Sequence, residues 1–160
     1  MAKEQTFTSI LDTPASEAVR PPALPAGTYV AVIKGLPRRG QSDKKKTDFI
    51  EYTLNVIQPY VDDEGNGDVD DDELKSFTDV NGALAGKEIK LTYYITEKSA
   101  YRHKEFLTDD LGLEFDDSAS HWSVAQQTGG TQFLIHMRQK PTDDGKGVYS
   151  EIASTAPIAA

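Results

Sequence analysis

From Glu88 to Thr96 the chain alternates strictly, with Ile89, Leu91, Tyr93 and Ile95 in one set and Lys90, Thr92, Tyr94 and Thr96 in the other. Successive side chains of a strand point to opposite faces, so this period of two predicts a strand with one buried and one solvated face, the usual condition of an antiparallel sheet. The same signal recurs from Gly27, where Tyr29, Ala31 and Ile33 alternate with Val30, Val32 and Lys34 before a Gly35-Leu36-Pro37 exit. A third strand is expected from about Asp48 to Gln58, rich in the β-formers Phe49, Ile50, Tyr52, Leu54, Val56 and Ile57 and ended by Pro59. A shorter one is expected over Leu74 to Thr78. Thr131 to Lys140 and Val148 to Ser154 read as a closing hairpin around Thr142-Asp143-Asp144-Gly145, because Asp-Gly tolerates the positive φ of tight turns.

Helical periodicity is confined to the second half. Ser99 can cap a segment in which Ala100, His103, Phe106, Leu107 and Asp110 or Leu111 recur at intervals of three and four, with Gly112 as the stop. A second short helix is expected from Ser118 or Ser120 through Gln127, with Trp122 and Ala125 inward and Trp122 anchoring it to the sheet. Residues 1–26 hold Pro14, Pro21, Pro22 and Pro25 and no sustained period, so they read as an extended arm, leaving 27–160 as one β-rich domain with an acidic loop at 60–73. The expected fold class is mainly β with minor α: a small barrel or sandwich with one or two short helices in the second half.

At 160 residues the chain is long enough to bury a core without staples, and it has no cysteine. That removes disulfides, thiolate nucleophiles, iron–sulfur clusters and cysteine-ligated zinc. No apolar run approaches the ~18 residues that span a bilayer, and the N-terminus shows no export signal, so a soluble chain with no membrane partner is expected. Walker loops, dinucleotide fingerprints and nucleophile elbows are absent from the sequence, and catalysis has no support. His103, His121 and His136 lack the two-ligand spacing of a metal helix and read as surface or core residues.

The net charge is −9, yet eight acids and no base lie between Asp62 and Glu73, so the rest of the chain is nearly neutral. Taken as a twelve-residue frame, that segment offers oxygen side chains from Asp62, Glu64, Asn66, Asp68, Asp70 and Glu73, with Gly67 at the turn position and Val69 as the aliphatic residue. Calcium takes six to eight hard oxygens, and the frame resembles an EF-hand loop. The competing reading is a solvated acidic insertion. No cofactor is otherwise required.

Arg38, Arg39, Lys44, Lys45 and Lys46 crowd the connection between the first two expected strands, with Gly40 and Ser42 among them. A flexible loop so rich in donors suits phosphate oxygens. Lys98, Arg102, His103 and Lys104 form a second, weaker basic stretch. Tyr52, Tyr94 and Tyr101 are the rings that would stack on bases beside these cations, the alternative for each being ordinary half-buried packing.

Leu24-Pro25-Ala26-Gly27-Thr28-Tyr29-Val30-Ala31-Val32-Ile33, the lysine-rich loop and the strand Phe49 to Ile57 resemble the opening of a phage-encoded family of small single-stranded-DNA-binding proteins. Ala85-Gly86-Lys87-Glu88-Ile89, the helix from Lys104 to Leu111 followed by Gly112-Leu113, and Gly147-Val148-Tyr149-Ser150-Glu151-Ile152 follow in the same order. The resemblance covers about Leu24 to Ile158. It implies an OB-like barrel that coats single-stranded DNA in replication or recombination, in the cytoplasm of an infected bacterium, alone as a homo-oligomer or with other phage proteins. A different class also fits the proline-rich arm and acidic β-rich body: a virion structural protein, such as a head-decoration or cement subunit, that assembles through the arm.

Overall fold

The computed structural model describes residues 22–116 and 118–158. Most of the arm expected over 1–26 therefore lies outside the described residues. Six strands form one open antiparallel sheet: β1 (Gly27–Ile33), β2 (Arg38–Gln41), β3 (Asp48–Pro59), β4 (Glu88–Ile95), β5 (Gln132–Pro141) and β6 (Val148–Ala156). β1 lies between β3 and β5, β6 pairs with β5, and the long β3 carries β4 on one edge and β2 followed by β1 on the other. Among the described residues no ladder joins β4 to β6. Both nevertheless line one hollow of about 440 Å³, floored by helix, so the sheet curls until its two ends approach.

Alternation decides what faces inward. Ile50, Tyr52, Leu54 and Val56 of β3 are buried together with Tyr29, Ala31 and Ile33 of β1 and Phe133, Ile135 and Met137 of β5. Each Ile, Leu, Val, Phe or Met among them contributes about 1.5–3 kcal/mol by leaving water. The Tyr29 hydroxyl, buried with its ring, donates to the Pro25 carbonyl at 2.7 Å.

The strand expected at Leu74 to Thr78 is a helix, α1 (Asp71–Asn81). Asp70 caps it by accepting from the Glu73 backbone N–H at 3.0 Å, and Asp71, Asp72 and Glu73 place negative charge in its first turn, where the helix dipole favours it. Phe77 is its buried anchor. Helical structure is thus not confined to the second half of the sequence.

Between β4 and β5, α2 (Ala100–Glu105) continues into a π-helical turn, Phe106–Asp110, and ends at Gly112 with φ +72°. Phe106 and Leu107 drop into the core from this turn. α3 (His121–Ala125) starts from a reciprocal Ser120–Ser123 cap. The sixth strand, in place of the one expected at Leu74, is β2, formed from part of the basic connection. Among the described residues no helix is long and apolar enough to cross a membrane.

Candidate nucleic-acid interface

The solvated face of β2, β3 and β4 is built by cross-strand register. Phe49 lies opposite Gly40 on β2 and opposite Tyr94 on β4, and Glu51 lies opposite Arg38 and Thr92. The Phe49 and Tyr94 rings meet edge to face, centroids 6.0 Å apart, and Tyr94 is 53% exposed. Gly40 makes room for the Phe49 ring, since a Cβ there would sit 2.9 Å from the ring's Cζ. Arg38 holds its guanidinium 5.0 Å from the centroid of Phe49 and donates through Nε to Glu51 at 3.2 Å.

The turn that follows β2 brings the lysines to the same rings. Ser42 accepts through Oγ from the Thr47 N–H at 3.0 Å, and its backbone closes the loop by pairing with Thr47 and Lys46. Lys46 adopts φ +53°, a left-handed conformation that a side chain disfavours. Lys44 and Lys45 are exposed and, with Tyr94, line a shallow hollow of about 420 Å³; Tyr94 also lines a neighbouring one with Arg38 and Phe49. Cations and ring faces therefore share one surface.

Other expected residues lie elsewhere. Tyr52 is fully buried and engages His103 Nε2 at 2.6 Å, so it offers no face to a base; its position on β3 turns it toward the core. Tyr101 is 54% exposed on α2, where Arg102 Nε donates to its hydroxyl at 3.2 Å. Arg102 also lines the hollow between β4 and β6, and Lys104 sits 5.6 Å from the Phe115 ring centroid. These three accompany the helix rather than the Tyr94 surface. Arg39, exposed on β2, lies 5.2 Å from the Trp122 ring centroid.

His103 is fully buried, and its Nδ1 lies 2.8 Å from Nδ1 of His121. Burial first, and His121 second, hold His103 down to about 4, so it is neutral near pH 7. Burial also raises Tyr52 well above the ordinary phenol range.

The acidic loop is remote from the basic turn, because the 12 residues of β3 separate them by roughly 36 Å at ~3.3 Å per residue. Screening over about 8 Å makes its field negligible at the rings. Three of the six candidate ligands, Asp62, Asp68 and Asp70, already accept from backbone N–H groups. Asp62 accepts from the N–H groups of Glu64 and Asn66, both at 2.9 Å, and Asp70 caps α1. Asp68 accepts from Thr28 N–H at 2.7 Å and from its hydroxyl at 2.9 Å. Burial alone would raise the Asp68 carboxyl, but the two Thr28 donors outweigh it and hold it below the usual carboxylate range. The positive φ of the turn falls at Gly65, +82°, rather than at Gly67, the turn position of the calcium frame. Among the described residues no group of three or more His, Asp or Glu side chains is arranged to hold a metal ion.

No protein-family model matches this chain, and no curated protein matches it either. The site is accordingly defined by its geometry. Sequence reasoning missed Phe49 as a surface ring and the Arg39–Trp122 contact. The first was readable: Ile50, Tyr52 and Leu54 share one face of the strand, so burying them together turns Phe49 to the other face.

Proposed function

We propose that this chain is a non-catalytic module that binds single-stranded DNA across the solvated face of β3 and β4. The observation that carries the reading is the in-register Phe49–Tyr94 pair, Phe49 half-buried and Tyr94 exposed, between Arg38 and the Lys44–Lys45 turn. Rings of this kind stack on any base, and mobile cations at their border neutralise phosphates without demanding a fixed spacing. The connectivity agrees: β1, β3 and β4 in succession, a helical segment, then β5 and β6 with β5 returning beside β1, as in a partly open Greek-key OB-like barrel. Barrels of that kind bind oligonucleotides on the second and third strands and the loop after the first, the places where the rings and lysines lie here. A role in phage replication or recombination is the corresponding biological setting.

Fluorescence anisotropy of a labelled thymidine oligonucleotide, measured between about 50 and 200 mM salt, tests the reading. Each phosphate contact contributes about −0.7 to the slope of log K against log salt, so replacing Lys44, Lys45 and Lys46 together by Ala flattens the slope by about 2. An unchanged slope removes the turn from the interface. Absence of binding at the lowest salt refutes the function and favours a particle-building role.

A further inference from the structure

On the other side of β2 from Arg38 lies a second hollow, of about 280 Å³, walled by Phe49, Ile50, Ile95 and Trp122. Its polar lining comes from Arg39, Asp48, Ser120 and His121. Phe49 is shared with the Tyr94 hollow, so a strand crossing those rings passes its mouth. The volume falls just under the ~300–1,000 Å³ of pockets for drug-sized ligands, which suits one flat ring system rather than a whole nucleotide. A phosphate could pair with Arg39 but would also face the Asp48 carboxylate and four apolar side chains. A base would meet ring faces and a polar edge.

Hydrogen bonding fixes what that edge offers. The buried Tyr52 hydroxyl has one proton, and the acceptor beside it is His103 Nε2 at 2.6 Å. A neutral His103 that accepts at Nε2 carries its proton on Nδ1, which then donates to His121 Nδ1 at 2.8 Å. A neutral His121 that accepts at Nδ1 must carry its own proton on Nε2. The reverse polarity would leave the Tyr52 proton buried without an acceptor, a penalty proteins avoid. A buried tyrosine thus sets the tautomer of a histidine lining the hollow.

We propose that this hollow takes one unpaired nucleobase, stacked with Trp122 and the Arg39 guanidinium and hydrogen-bonded through an edge acceptor to His121 Nε2–H. This rests on the reading that the neighbouring face binds single-stranded DNA. Arg39 already lies over the Trp122 ring, and a planar guanidinium stacks on a base as readily as on an indole.

Trp122 is the sole tryptophan, so its emission reports the hollow in the unmodified protein. The full chain is titrated with a labelled thymidine oligonucleotide and, separately, with an abasic strand of equal length, following anisotropy and tryptophan emission together. The expected result is quenching that saturates along the anisotropy curve for the thymidine strand, and binding without quenching for the abasic one. Thymidine binding that leaves the emission unchanged, or equal quenching by the abasic strand, overturns base insertion while the outer-face reading survives. No anisotropy change with either strand overturns both.

Discussion

Acidification tests the buried polar chain at the centre of the fold. His103 is fully enclosed by Tyr52, Tyr93, Phe106 and His121, and its depression to about 4 follows from burial and then from its histidine neighbour. In the unfolded chain the same side chain titrates near 6.5. The unfolded state therefore binds more protons between these values, and stability falls as pH falls through that window. Integrating the difference gives a loss of about 2 kcal/mol on going from neutrality to pH 5 and about 3 kcal/mol by pH 4. Lys104, whose charge acts on His121 after burial, adds to the penalty for charging the pair. The assay is urea unfolding of the parent and of His103→Gln at pH 7 and pH 5. The variant starts less stable but lacks the steep acid dependence, and the carboxylates common to both proteins cancel in the difference. Equal losses in parent and variant over that interval would refute the reasoning.

Three further outcomes follow from named contacts. Tyr52→Phe leaves His103 Nε2 without its donor and lowers unfolding stability by about 1–3 kcal/mol in urea titrations. Asp68→Ala strips two acceptor contacts from Thr28 and costs about 1–2 kcal/mol in denaturant midpoint measurements. Lys46→Gly relieves the left-handed backbone at φ +53° and raises the thermal midpoint by the equivalent of about 0.5–1 kcal/mol, while reducing the salt slope of oligonucleotide binding by about 0.7.

Strong periodicity made β1, β3, β4, α2 and α3 legible, while the β5–β6 hairpin was legible from its Asp-Gly turn, β6 itself burying no residue fully. Capping was legible only in part: Ser120, one of the two serines expected to open α3, does cap it, whereas Ser99, expected to cap α2, makes no capping bond and instead accepts from the Thr96 N–H and donates to the Tyr94 carbonyl. β2 was hidden since Arg-Arg-Gly-Gln carries no β-propensity; its strand exists through pairing with Asp48 to Glu51, a tertiary effect. α1 was misread because the acids that serve as its cap and first turn look equally like solvated charge or metal ligands, and Leu74 and Phe77 alone do not separate a strand from a short helix. The Tyr52 error has the same root. A tyrosine on a strand is placed by the parity of its neighbours, and Ile50 and Leu54 share its side of β3.

The outer-face claim is tested most directly by removing its two rings while keeping every cation. Phe49→Leu combined with Tyr94→Leu eliminates stacking worth about 1–3 kcal/mol per base and so weakens single-stranded DNA binding by about 30-fold or more, with the salt slope unchanged. If the double variant binds the oligonucleotide as tightly as the parent, bases do not rest on this surface and the account is wrong.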